Sequence, residues 1–247
     1  MLRRAKAALL GLALLFGVGC SSLTQTPVIH VTQDPTEVAL AGTAALVDMA
    51  LVDEDGFEQE PGAVFCSGAF HQDMVLTAAH CTHAVGQTVE VSTQAFESSH
   101  MGHFTRAWDY TVVYRDEVQD VAVLFPGGNN QPAHVNLPLA EGEPHYGQHV
   151  FTVGHPGGLT YTLTDGIISS PKRVSSDGSI WTQASVPIYF GNSGGPLLTE
   201  RNEIIGICSF MAFRRSHLGG WDHIDSVRAA IVSALVGIST GMPGPIH

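Results

Sequence analysis

The 247-residue chain has little charge, and most of it is of one sign. Lys and Arg number 11 against 23 Asp and Glu, a formal net charge of −12. Three of the basic residues, Arg3, Arg4 and Lys6, precede Cys20, and none of the acidic residues does. Beyond that point 8 basic residues face 23 acidic ones, a balance of −15. A nucleic-acid binder needs a basic footprint, so no nucleic-acid partner is expected. Charged residues make up only 14% of the chain and hydrophobic residues 44%, which excludes a disordered polymer. Helical patterns of 10–15 residues do not alternate with the strand-like runs, which argues against a parallel α/β sheet. No internal repeat of 20–50 residues is visible. What is abundant is turn chemistry: 27 Gly and 13 Pro, about 16% of the chain, suit a turn-rich β protein.

The N-terminus reads as an address. Met1–Lys6 is cationic, Ala7–Val18 is an apolar run, and Gly19-Cys20-Ser21-Ser22 follows. These are the parts of a secretory signal over 1–19, and the run is too short to cross about 30 Å of hydrocarbon comfortably as a helix. A cysteine at the cut resembles a bacterial lipoprotein signal. That resemblance implies a lipid on Cys20 and an exported protein in the cell envelope, on the outer membrane where there is one. Otherwise the protein is secreted. Residues 20–40 carry the modified cysteine and a weakly periodic tether. An exported chain permits a disulfide, and Cys66, Cys81 and Cys208 leave one thiol odd.

From Thr43 onward short apolar runs alternate with turns. AVFCSGAF, MVLTAAH, YTVVY, DVAVLF, HVFTVG, SIWTQAS, GPLLT and EIIGICSF are strand-like. Pro126-Gly127-Gly128, Pro156-Gly157-Gly158 and Asp177-Gly178 separate some of them, the pattern of a barrel or sandwich. Pro126–Tyr146 reads as a crossing between two β units, about 41–125 and 146–213. One helix is expected over about 223–238, with apolar residues at 224, 227, 231, 232, 235 and 238 and Asp222 as its N-cap. Residues 239–247 form a tail.

Three local patterns carry chemistry. Gly191-Asn192-Ser193-Gly194-Gly195-Pro196 places a serine in a glycine-dense turn before a strand. Such a turn can aim successive N–H groups at one anion, as a nucleophilic serine requires. Met74–Cys81 runs an apolar strand through two alanines into His80. A serine hydroxyl needs a base, and histidine titrates near neutrality. Asp120 opens the strand Val121–Phe125, where an inward carboxylate needs a hydrogen-bonding partner such as an imidazole N–H.

In that order MVLTAAHC, DVAVL and GNSGGPL resemble the trypsin-like (chymotrypsin-fold) serine proteases over about residues 41–238. The resemblance implies an all-β fold, two six-stranded antiparallel barrels with the active site between them and a C-terminal helix. It implies a cofactor-free serine endopeptidase acting on polypeptides, with no metal. His80 would be the general base, Asp120 its orienting partner and Ser193 the nucleophile, with the N–H groups of Gly191 and Ser193 as the oxyanion hole. Cys66 and Cys81 match the disulfide beside the histidine, leaving Cys208 free. Asn192 stands where the digestive enzymes carry Asp, so activation by a new N-terminal amine is not expected. GNSGGPL, TVGHP and TDGIISS resemble the bacterial Do-like and glutamyl-endopeptidase-like branches. The expectation is a protease domain with no peptide-binding module behind the helix. The primary pocket would use Pro187 and Ile188 with Ser209, Phe210 and Met211. None is a carboxylate, which favours cleavage after apolar residues. His155 and Thr182 invite a glutamate-specific alternative.

Three other readings compete. Gly191–Gly195 also fits the G-x-S-x-G elbow of α/β-hydrolases, but Pro196 and a hairpin follow it where that fold needs a helix. The pairs His80/His83, His100/His103 and His145/His149 could suggest a metal, yet lack helical periodicity and an accompanying carboxylate pattern. The third is a catalytically inactive binding module on the cell surface.

Overall fold

The computed structural model describes residues 34–49, 62–97, 102–211 and 219–240. The expected signal, Cys20 and most of the tether lie outside the described residues. The strands form two closed antiparallel barrels. Barrel one contains β1 (Thr43–Asp48), β2 (Ala63–His71), β3 (Met74–Ala78), β4 (Thr88–Ser92), β5 (Trp108–Asp116) and β6 (Val121–Pro126). Barrel two contains β7 (His149–Gly154), β8 (Thr162–Val174), β9 (Ile180–Ala184), β10 (Pro196–Thr199), β11 (Ile204–Met211) and β12 (Gly219–His223). The first runs 1-2-3-6-5-4 around its wall, and the second repeats that order as 7-8-9-12-11-10. The expected two-barrel architecture is therefore present, as a structural repeat with no matching sequence repeat.

Strands such as β1, β3 and β10 read as near-continuous apolar runs because both their faces are buried. In β1, Leu46 points into barrel one with Phe70, Val75, Val91, Tyr110 and Leu124. Its neighbours Ala45 and Val47 point the other way, into a second cluster with Leu76, Val123, Val153, Leu198 and Ile207. Period-two alternation thus serves two cores at once. A register shift between Val112 and Tyr114 moves β5 from the barrel core to the shared cluster. Barrel two has its own interior of Val150, Ile168, Ala184, Ile188, Leu197, Cys208 and Trp221.

Helix α2 (Ile224–Thr240) seals the shared cluster and packs on β5, β6 and β11. Its buried stripe is Ile224, Val227, Ala230, Ile231 and Ala234. Val232, Leu235 and Ile238, expected in that stripe, are exposed. Small alanines let the helix lie close to the barrels, so the contact face is rotated from the most hydrophobic one. Asp222 is not the N-cap. It is buried within β12, and the His223 ring takes the cap instead, its Nδ1 accepting from the Asp225 N–H at 3.2 Å.

Two boundaries also differ. The sixth strand of barrel two ends at His223, beyond the expected 213, because GGWDH is too short and glycine-rich to announce a strand. At the other end, Pro35–Ala41 of the expected tether is a short helix, α1. Asp34 caps it by accepting from the Thr36 N–H at 2.8 Å, and Ala39 is buried. The crossing after β6 has no regular element among its described residues. Its Leu137 is nonetheless fully buried and donates its N–H to Phe70 O.

Candidate active site

The site lies where the end of β3, the start of β6 and the turn before β10 meet. After β3 the chain makes one tight turn, Ala79–Cys81, that carries His80. Ala79 donates its N–H to Asp120 O at 2.8 Å, and His80 donates its N–H to Asp120 Oδ1 at 2.9 Å. The His80 ring meets the same carboxylate, with Nδ1 2.8 Å from Oδ2. Ser209 of β11 gives its hydroxyl proton to Oδ2 as well. Asp120 adopts φ 55, the left-handed region that Asp tolerates better than most side chains. Among the described residues the other partners of this carboxylate, the His80 N–H and the Ser209 hydroxyl, are donors, so it is held as an acceptor and keeps the proton of His80 on Nδ1. Nε2 is left with a lone pair. The His80 side chain is 48% exposed.

The serine turn is two consecutive β-turns. Asn192 donates its N–H to Tyr189 O at 3.0 Å, and Gly195 donates to Asn192 O at 2.9 Å. Gly191 and Gly194 supply the positive φ values, +98 and +83. A Cβ on Gly191 would lie 2.2 Å from His155 O, and one on Gly194 would lie 2.1 Å from Ser67 O. Only glycine fits at either position. The carbonyls of the turn are tied back. Phe190 O accepts from Gly157 N at 2.7 Å, and Ser193 O accepts from Ser67 N at 2.8 Å. Ser67 Oγ donates to Gly191 O at 2.7 Å. Among the described residues no acceptor takes the N–H of Gly191 or of Ser193.

The Cys66–Cys81 disulfide ties β2 to the turn that carries His80, with Cα atoms 6.2 Å apart. Cys81 follows His80, and its Sγ is 3.7 Å from Ser193 O. Cys66 precedes Ser67, which holds that same carbonyl. Cys81, next to His80, and Ser67, next to Cys66, thus both contact the Ser193 carbonyl. The bridge spans 15 residues, a loop length that stabilises by about 3 kcal/mol in the chain-entropy account. Cys208 is free and buried in barrel two, and burial pushes its thiol far above the ordinary range.

Other expected site residues are placed differently. Pro187 is exposed. Ile188 is buried against Trp221: a Cβ on Gly219 would lie 2.4 Å from Trp221 Cη2 and 2.8 Å from Ile188 Cδ1. Ser209 orients Asp120. Phe210 and Met211 end β11 and pair with Gly220 and Gly219, while their side chains lie outside the described part of the molecule. On its other edge β11 pairs with β10 only as far as Ile207. Asn192 is buried, and a Cβ on Gly154 would come 2.3 Å from its Oδ1.

The glutamate-specific reading fails. His155 is wholly buried between the barrels, with Nδ1 2.8 Å from Ser67 Oγ and its ring edge-on to Tyr161 at 4.8 Å. Thr182 is buried and donates to Pro171 O at 2.9 Å. Neither faces a substrate. Burial lowers His155 to about 3. Among the described residues two groups of three could bring metal-ligand atoms together. Cys66, His80 and Cys81 form one, but both sulfurs are in the disulfide. Glu143, His223 and Asp225 form the other, and Arg228 bridges its two carboxylates.

Residue patterns did not single out Ser67 or Trp221, and gave Gly157 only as part of a turn and Asp222 only as a helix cap. Ser67 follows a cysteine in CSGAF and carries no local signal of its own. Asp222 is a carboxyl behind the site, pushed well above the usual range first by burial and then by Asp120 and Asp116.

A twinned antiparallel barrel with a carboxylate-held imidazole beside a glycine-framed serine defines the chymotrypsin-like class. The sequence comparison assigns the chain within it. Residues 62–207 match the family described as trypsin-like peptidase domain, and the protein belongs to that family. It is 35% identical over 133 residues to the putative serine protease HhoA of Synechocystis, covering 50% of this chain and 33% of that one. It is 41% identical over 113 residues to a probable periplasmic serine endoprotease DegP-like of Halomonas elongata, 44% of this chain and 23% of that one. The chain thus spans about a third or less of the length of these curated relatives. The fold is similar to that of a serine endoprotease from Yersinia pestis, with a TM-score of 0.62 at 22% identity over 81% of this chain and 65% of that one. It is also similar to Rv3671c of M. tuberculosis, with a TM-score of 0.61 at 19% identity over 82% and 91%.

Proposed function

We propose that the protein is a serine endopeptidase that cleaves polypeptides through an acyl-enzyme at Ser193. The observation that carries this reading is the single Asp120 carboxylate that holds both the backbone and the ring of His80, with Nε2 left free to take a proton. Ser193 Oγ attacks the scissile carbonyl while Nε2 takes its proton. The N–H groups of Gly191 and Ser193 stabilise the oxyanion. His80 then passes the proton to the leaving amine, which departs. Water, deprotonated by the same Nε2, attacks the ester and frees Ser193. Asp120 stays ionised throughout and stabilises the imidazolium. Ser209–Met211 offers the β-edge on which an extended substrate backbone adds as a strand.

The substrate residue before the cut sits between the 187–193 segment and the end of β11. Trp221 and Ile188 fill the space there, which supports a shallow pocket for small apolar side chains. Like its periplasmic relatives, the protein is read as exported. Its place is the cell envelope, with a lipid on Cys20.

A fluorophosphonate probe tests the catalytic reading. Purified wild type takes the label covalently and Ser193→Ala does not. A wild type that stays unlabelled refutes the enzyme and leaves the inactive binding module. For the anchor, Cys20→Ala moves the protein from the membrane to the soluble fraction, and unchanged partitioning refutes the lipid.

A further inference from the structure

Ser67 belongs to barrel one, yet all its polar atoms serve the seam with barrel two or its own sheet. Its N–H donates to Ser193 O at 2.8 Å, and its O accepts from Thr77 Oγ1 at 2.8 Å. Its Oγ lies 2.7 Å from Gly191 O and 2.8 Å from His155 Nδ1. The residue is fully buried, so water does not replace any of these partners.

Counting protons fixes the direction of each bond. A carbonyl only accepts, so the one hydroxyl proton of Ser67 goes to Gly191 O. The Ser67 oxygen must then accept from His155, which carries its proton on Nδ1. His155 Nε2 is left without a proton, and it is buried with no polar partner among the described residues, against the edge of Tyr161. The chain His155 Nδ1–H to Ser67 Oγ–H to Gly191 O therefore runs one way only.

The consequence falls on the serine turn. With Phe190 O held by Gly157, Gly191 O by Ser67 and Ser193 O by Ser67 N–H, three carbonyls point away from the cleft. Rotation of the Gly191–Asn192 peptide, which lies between the two donors, would swing the Gly191 carbonyl toward the place where an oxyanion must bind. Glycine at 191 offers little resistance of its own to such a rotation.

We infer that Ser67 and His155 are positioning residues that hold the Gly191 carbonyl out of the site, so that the N–H groups of Gly191 and Ser193 face the substrate. This rests on the reading of Ser193 as the nucleophile. Neither residue touches substrate, and the bond they make is present before and after the reaction.

The experiment measures kcat and KM on a fluorogenic peptide for the full chain and three variants, each first verified as folded by its melting transition. Ser67→Ala lowers kcat about 10- to 100-fold, less than the about 10²–10³ lost when an oxyanion donor is itself removed. KM changes less than about threefold, because the ground state makes little use of the hole. His155→Leu, which has bulk but no donor, behaves like Ser67→Ala. His155→Asn, whose amide N–H starts from the same position as Nδ1, stays within about threefold of wild type. Nitrogen-15 NMR of wild type at neutral pH finds His155 protonated on Nδ1 alone. The opposite tautomer overturns the inference whatever the variants do. So do an unchanged kcat in Ser67→Ala, or equal losses for Leu and Asn at position 155. A wild type that fails to take a fluorophosphonate fells the nucleophile reading and this inference with it. A labelled wild type with an indifferent Ser67→Ala fells this inference alone.

Discussion

His80 and His155 each follow the end of a strand, one in each barrel, and each is hydrogen-bonded through Nδ1. Their partners separate them. Nδ1 of His80 faces a carboxylate, and its ring is 48% exposed. Nδ1 of His155 faces a hydroxyl that passes its proton on to a carbonyl, and its ring is wholly buried. A carboxylate stabilises the imidazolium, and an open edge lets protons reach Nε2. A buried hydroxyl offers no charge, and burial lowers the ring to about 3. On the proposed function the same side chain is a proton carrier at one barrel end and a neutral strut at the other. Environment decides the role, and the strand-end position is common to both.

The largest test of this contrast is kinetic. His80→Ala lowers kcat about 10⁶-fold, by analogy with a triad dissected in another serine protease. Asp120→Asn costs about 10⁴-fold, because an amide can present a donor to Nδ1 and so favours the wrong tautomer. Substitutions at His155 stay within about 10²-fold. Steady-state rates on one peptide measure all three. A His155 loss equal to that of His80 would break the division between carrier and strut.

The contrast also shows how far residue patterns reach. The barrel fold was legible because strands buried on both faces produce unbroken apolar runs, and DVAVLF and MVLTA are such runs. His80, Asp120 and Ser193 could be picked out as candidates because each sits at the mouth of one of these runs with small or glycine neighbours. The Cys66–Cys81 pairing followed from the resemblance rather than from spacing. His155 was misread as specificity chemistry because a histidine before Pro-Gly-Gly shows no sign of being buried. Its burial depends on Phe104 and Tyr161, which come from distant segments. Asp222 looked like a helix cap for the same reason. Its strand is defined only by pairing with Ile207 and Trp181, contacts that local pattern does not encode.

A middle-sized effect concerns what the strut-bearing barrel allows a substrate to present. Trp221 fills the interior beside Ile188 and Gly219. Wild type is therefore expected to cleave after Ala or Val at least about 10-fold better, in kcat/KM, than after Phe. Trp221→Leu opens the floor and narrows that ratio toward one, while fluorophosphonate labelling persists. Peptides varied at the residue before the cut measure it. Cleavage after Phe that equals cleavage after Val in wild type would remove Trp221 as the limit.

The smallest effect, a few degrees in Tm, lies in the pH dependence of stability and sharpens the contrast further. His155 has a folded value near 3 against 6.5 for the free side chain. Between those values the unfolded chain binds more protons than the folded one, so stability rises with pH. Its contribution is fully present above 6.5 and is lost as pH falls toward 3. Asp222 works in the opposite sense. Its folded value is raised well above 3.8, so the folded form binds the extra proton. Its contribution is present below 3.8 and is lost as pH rises toward that raised value. Calorimetry on His155→Asn should show a flatter Tm profile from pH 6.5 downward. Asp222→Asn should flatten the opposite slope and raise Tm at pH 7 more than at pH 4. A His155→Asn profile as steep on the acid side as wild type would mean that its ring is not held neutral in the folded chain, and the strut would then be a second titrating base.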